Sequence, residues 1–191
     1  MTLGRFTELV ALASRLAERH RVHGPATLAY FGLGMLGYAA QLQGRCEDAA
    51  RCFTESARIE VPAGTYMVSR PVEARIMFER GERSRALRFL RDHVESLLDT
   101  DFTDVTRLVA IEFITMMAAL DRLDAAAHIL AYLDTTGDFA TLARDTLIAD
   151  AVRRIGAEPD VSGGRSLDAH AALISMREVL DELTADARPA R

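Results

Sequence analysis

Apolar residues recur every three or four positions along most of this chain, with charged and small polar residues between them. That interval matches the 3.6-residue turn of an α-helix. A first helix is expected over about Thr2 to Arg21, with Phe6, Leu9, Val10, Ala13, Leu16 and Ala17 on one face. Gly24-Pro25 breaks it and starts the next. Further helices are expected over about Ala26 to Gln43 and about Cys46 to Ile59, then a turn at Val61-Pro62-Ala63-Gly64. A fourth covers about Tyr66 to Arg80 and stops at Gly81. A fifth, about Arg83 to Leu98, turns Leu87, Leu90, Val94, Leu97 and Leu98 inward. The sixth, capped by Asp101 or Thr103, runs to Leu120. Its core, RLVAIEFITMMAAL, is apolar almost all round, as an element buried on several sides would be. Met116 and Met117 read there as gap-filling core. A seventh helix is expected over about Leu123 to Leu133 and an eighth over about Phe139 to Ile155. Gly156 to Arg165, with Pro159 and Gly163-Gly164, reads as a loop. Ser166 then caps a ninth helix, 166–183, and the polar tail 184–191 is expected to be mobile.

The pattern also repeats on a longer scale. From Leu33 the order runs Leu33, Leu36, Gly37, Ala40, Gly44, Ala49, Phe53. Those are the residue types and offsets of a tetratricopeptide unit, a helix–turn–helix hairpin that stacks on its neighbours. Gly37 lets two antiparallel helices approach closely. Gly44 ends the first helix by permitting a left-handed backbone. Ala49 and Phe53 face back from the second. Gly81, Ala86 and Leu90 take the places of Gly44, Ala49 and Phe53 in a second unit, and Asp121, Ala126 and Leu130 do so in a third. The later units keep the Ala and the apolar residue but lose Leu-Gly. The fold class expected is all-α, a tetratricopeptide-like superhelix of antiparallel helical hairpins with about nine helices. It forms a single domain over 1–183, with units at about 30–62, 66–99 and 103–135.

Composition supports helix over strand. Alanine, leucine and arginine are abundant, and these lose little side-chain freedom in a helix. β-Branched Ile and Val are scarce. There is no Lys, so all 23 basic residues are Arg, and there is no Asn. The residue usage is that of a high-GC genome, such as an actinobacterium. The formal net charge of −5 argues against a domain that grips nucleic acid through its phosphates. Cys46 and Cys52 lie six apart on one expected helix, on different faces, so neither a local disulfide nor a metal pair is expected. Two unpaired thiols fit a reducing cytoplasm. The N-terminal apolar run is broken by Glu8, Ser14 and Arg15, unlike a signal peptide. No stretch reaches the length of a membrane span.

Candidate chemistry is sparse. Gly32-Leu33-Gly34-Met35-Leu36-Gly37 matches G-x-G-x-x-G, which in a dinucleotide-binding unit comes after a strand and seats a pyrophosphate on a helix N-terminus. The segment after Gly44, however, is RCEDAARCFTESARIE, which has helical period. His20, His23, His93, His128 and His170 are scattered, with no metal-binding spacing. No nucleophile elbow occurs. Arg80, Arg83, Arg85, Arg88 and Arg91 form a basic stretch, but Glu79, Glu82, Asp92 and Glu95 are interleaved, which reads as a solvated, salt-bridged face. No catalytic residue, cofactor or metal is expected. The first helix of each unit should line a concave groove. Candidate partner-binding residues on those helices are Phe31, Tyr38, Gln41, Arg75, Phe78 and Glu79, a mixture of aromatic, amide and charged groups suited to a contact surface.

The run Leu36-Gly37-Tyr38-Ala39-Ala40-Gln41-Leu42-Gln43-Gly44, with Glu47-Asp48-Ala49-Ala50-Arg51-Cys52-Phe53 after it, resembles the C-terminal tetratricopeptide-like region of large actinobacterial transcriptional regulators. These include LuxR-type regulators with an ATPase module and related ATPase-cyclase proteins. Gly164-Arg165-Ser166-Leu167-Asp168-Ala169 is similar to that family's last helix start. The long connection the family has before it is shortened here to Gly156 to Gly163. The resemblance implies a sensory or protein-interaction region in a regulator whose ATPase and DNA-binding parts lie outside this chain, and it carries over no catalytic residues. The function expected is a cytoplasmic, non-catalytic interaction module whose partner is a protein, a peptide or another copy of the chain, with no direct nucleic-acid contact and no membrane. A small-molecule sensor, with a pocket near Tyr38, Phe78 and the sixth helix, is the first alternative. A nucleotide-dependent enzyme using Gly32 to Gly37 is the second.

Overall fold

The periodic stretches are helices in the computed structural model of the chain, which describes residues 10–19, 25–43, 45–61, 70–100, 103, 105–134, 148–156 and 167–186. Helix α1 covers residues 10–19. After it come α2 (Ala26–Leu42), α3 (Cys46–Ser56), α4 (Arg70–Glu79), α5 (Arg83–Asp99), α6 (Thr106–Ala119), α7 (Leu123–Asp134), α8 (Ala149–Ile155) and α9 (Ala169–Asp186). The described residues therefore hold nine helices and no strand, an all-α fold of helical hairpins. The chain divides into two compact units, Met1–Glu73 and Ala74–Arg191. The division falls inside α4, early in the second repeat.

The hairpin turns carry the repeat. At the end of α4 the Gly81 N–H donates to the Phe78 carbonyl at 3.0 Å, and the Glu82 N–H donates to the Met77 carbonyl at 3.0 Å. That pair of bonds satisfies the last carbonyls of a helix when the chain reverses through a left-handed backbone. Gly81 supplies it, with φ of 87°. The turn after α6 repeats the arrangement: Asp121 N–H to Ala118 at 3.1 Å and Arg122 N–H to Met117 at 2.9 Å, with Asp121 at φ 62°. After α2, the Arg45 N–H reaches the Ala40 carbonyl at 2.9 Å in the same register. Gly44 lies outside the described residues. Each succeeding helix opens alike, with Ala49, Ala86 and Ala126 donating to Arg45, Glu82 and Arg122. The pairs Ala49 and Phe53, Ala86 and Leu90, Ala126 and Leu130 are all buried.

Unit 1 is built on glycine contacts. A Cβ at Gly37 would lie 2.7 Å from the Phe53 ring, so the missing side chain is the seat of that ring. Phe53 in turn meets Tyr38 edge-on, with centroids 5.2 Å apart. Ser56 Oγ donates to the Tyr30 carbonyl at 3.2 Å, which satisfies a buried hydroxyl. A Cβ at Gly32 would lie 2.7 Å from the Ala17 backbone nitrogen, so α1 crosses α2 almost backbone to backbone.

In unit 2, α6 packs against α7, α8 and α9, which explains its apolar circumference. Ten of its residues are buried, Met116 and Met117 completely, as expected of core. Helix α9 lies on α5, α6 and α7 through Ala172, Leu173, Met176 and Leu180, all fully buried. Arg154 of α8 donates to the Ala118 carbonyl at the end of α6 and pairs with Asp121 at 2.9 Å.

Some helix boundaries differ from the sequence expectation. Helix α6 begins at Thr106 after Val105, with no side-chain cap, and Thr103 instead accepts the Thr106 N–H through its carbonyl. Of the eighth expected helix the structure describes Ala149–Ile155, with Ile148 before it at φ −119° and ψ 15°; residues 139–147 of that expectation lie outside the described residues. Asp168 caps α9: its Oδ1 accepts the Ala171 N–H at 2.8 Å. Helix α9 then continues to Asp186, past its expected end at about residue 183, and the buried Thr184 donates to the Leu180 carbonyl at 2.8 Å. Ser166 and residues 187–191 of the tail lie outside the described residues.

Candidate functional site

The six residues expected to meet a partner fall into two sets. Phe31, Tyr38 and Gln41 belong to α2 in unit 1. Tyr38 is buried against Phe53, so its ring is part of the core there. Phe31 is half-buried and meets the Tyr30 ring edge-on at 5.7 Å. Gln41 is half-buried, and its Oε1 is a buried atom.

Arg75, Phe78 and Glu79 belong to α4 in unit 2, and here the structure assembles a polar cluster. Arg75 Nε donates to Glu112 Oε2 at 2.7 Å, and Arg75 Nη1 donates to Glu79 Oε1 at 2.5 Å. The helical spacing of four places Glu79 one turn above Arg75. Glu112 comes from the middle of α6, 37 residues away in sequence. Its side chain is 1% exposed, against 16% for Arg75 and 57% for Glu79. The cluster therefore grades from a buried carboxylate, through a guanidinium, to an exposed carboxylate. Burial pushes the Glu112 carboxyl above the usual carboxylate range, against the downward pull of Arg75. Burial disfavours the Arg75 charge, but Glu112 and Glu79 more than offset this and raise its pKa, so Arg75 stays a cation. Phe78 is buried, with the Arg83 guanidinium 5.6 Å from its ring centroid.

Glu112 is the member that sequence reasoning missed. Its signal is a single charge inside an otherwise apolar run, since a buried carboxylate requires a partner.

Gly32 to Gly37 lie in mid-α2, so their N–H groups are spent inside the helix and no helix N-terminus faces a phosphate there. The phosphate-binding turn that the nucleotide alternative requires is not formed. In the arginine stretch, Arg85 pairs with Glu82 at 2.7 Å and Arg91 with Asp92 at 2.6 Å, as a salt-bridged surface does. Cys52 is a free, half-buried thiol, held above its ordinary pKa by burial. His93 is buried, and His128 Nε2 lies 3.4 Å from Ser175 Oγ. His20 and His23 lie outside the described residues. Among the described residues no group of three or more His, Cys, Asp or Glu is placed to hold a metal. No helix among them is long and apolar enough to cross a membrane. Two surface depressions, of about 480 Å³ along α3 and about 260 Å³ at Asp121 to Ala125, are open and polar. Comparison of the chain with protein-family models, curated proteins and solved structures finds no match in any of the three.

Proposed function

We propose that the chain is a helical-repeat interaction module that holds a protein, a peptide or a second copy of itself, without catalysis. The recurrence of one hairpin turn carries this reading. Three helix pairs share the turn register and the buried Ala and apolar residue that come after it. Such repeats spend their side chains on stacking and leave one helix face of each pair for contact. In unit 2 that face offers Glu79, the exposed end of the polar cluster. The resemblance of the Leu36 to Phe53 run to large transcriptional regulators supports a regulatory setting in the cytoplasm, with nucleic-acid contact made elsewhere.

Thermal unfolding against a panel of nucleotides, dinucleotides and common metabolites tests the reading. A ligand at 100 times its dissociation constant adds about 2.7 kcal/mol, and each kcal/mol moves the midpoint by about 2 to 4 °C at this size. The expected result is a flat response to every small molecule. A rise of several degrees with one dinucleotide overturns the module in favour of an enzyme. The same rise with one metabolite overturns it in favour of a sensor.

A further inference from the structure

Helix α6 spends a buried position on a charge, and the charges around it do not balance. Glu112 and Glu79 both bond to Arg75, so two carboxylates share one guanidinium. With every group ionised, the cluster carries one net negative charge. Glu79 is largely exposed to water. Glu112 is fully buried, and only Oε2 is bonded to Arg75; Oε1 is buried with no hydrogen-bond partner. An unpaired carboxylate oxygen in such a place is costly, and a proton on it removes the excess charge. The other oxygen still accepts from Arg75 after that proton is added.

We propose that Glu112 is the proton-binding centre of a pH-sensitive clasp between α4 and α6, tightest when Oε1 carries a proton and looser as the carboxyl ionises. The step is a simple proton uptake from solvent, with no bond made or broken besides O–H.

The charged groups around α6 support the assignment. From α4, Arg75 and Glu79 act on Glu112, the first lowering its proton affinity and the second raising it. From α7, Tyr132 interacts with Arg107 and Asp168. From α8, Arg154 is held at the far end of α6 by Ala118 and Asp121. From α9, Glu182 pairs with Arg122 and Arg177 lies 3.9 Å from Glu95. Among the described residues, Arg75 and Glu79 alone act on the Glu112 carboxyl.

Burial outweighs Arg75 and raises the folded-state pKa of Glu112 above the unfolded one. The stabilising contribution is therefore fully present below the unfolded carboxylate pKa and is lost as pH rises through the folded one. Since Arg75, Phe78 and Glu79 occupy α4, the same proton governs how firmly the candidate contact face is held.

Two measurements on the full chain test this. The first compares thermal unfolding of wild type, Glu112→Gln and Glu79→Gln from about pH 5 to about pH 8. Glutamine mimics the protonated acid, so Glu112→Gln should gain on wild type as pH rises, by about 3 to 5 °C for each ten-fold shift in proton affinity. Glu79→Gln removes the excess charge and should move the wild-type transition to lower pH. The second is the infrared band of a protonated carboxyl, expected in wild type to persist to higher pH than that of free glutamate, and absent in Glu112→Gln. Parallel pH profiles for wild type and Glu112→Gln overturn the proposal. So does a missing band in wild type, which decides the matter even if the variants fail to fold.

Discussion

The hairpins α2–α3 and α6–α7 share a turn but solve the closeness of their helices differently. In the first, Gly37 vacates the space that the Phe53 ring fills. In the third, the corresponding positions are Ile114 and Leu130, both buried. The second repeat holds an intermediate combination, Ala74 and Leu90. Between the first two repeats the bulk gained at the Gly37 position is matched by bulk lost at the Phe53 position, as dense packing requires, whereas the third adds Ile114 and keeps the leucine. The turn varies too: Gly81 adopts the left-handed backbone without a side chain, while Asp121 adopts it with its carboxylate paired to Arg154. The repeat therefore persists in turn geometry, not in residue identity.

The largest effect expected from breaking this comparison is Phe53→Ala. It empties the ring's seat beside Gly37 and should cost about 3 to 5 kcal/mol, read from the urea unfolding midpoint. A cost below about 1 kcal/mol would mean that Phe53 is not the keystone of the first hairpin.

Next in size is an exchange of packing schemes. Gly37→Ala alone puts a Cβ 2.7 Å from the Phe53 ring and should cost about 1 to 3 kcal/mol. Adding Phe53→Leu recreates the Ala and Leu combination of the second repeat. The double variant should recover stability relative to the sum of its single changes, a coupling of about 0.5 to 3 kcal/mol. Additive costs in a double-mutant cycle would refute volume compensation.

The smallest effects belong to the turns. Gly81→Ala forces a Cβ into the left-handed region and should cost about 1 to 2 kcal/mol, although the space around Gly81 is open. Asp121→Gly relieves the backbone but gives up an exposed pair with Arg154, and should stay within about 0.5 kcal/mol of wild type. Equal costs at the two positions, read from the same urea midpoints, would show that turn geometry is not what distinguishes them.

The polar cluster shows where reading the chain alone stops. Arg75 and Glu79 lie one helical turn apart, so their proximity is legible from spacing. Glu112 stands out in the sixth helix only as an anomaly. Nothing in the sequence says that it meets Arg75 across 37 residues. Tyr38 and Phe78 show the same limit. Both read as groove residues from their repeat positions, and both are buried.

Helices, the turns between them and most inward-facing residues are written in the chain itself. Those properties are local: side-chain period, backbone handedness at Gly81 and Asp121, and the helix preference of an alanine-rich chain poor in strand formers. Packing in three dimensions was needed to bring α1 across α2 at Gly32, to carry Arg154 to the turn at Asp121, to divide the chain within α4, and to set Glu112 on Arg75. Each of these depends on which distant surfaces meet. Contacts between residues remote in the chain are selected by shape and charge in the folded state, and no repeat period encodes them.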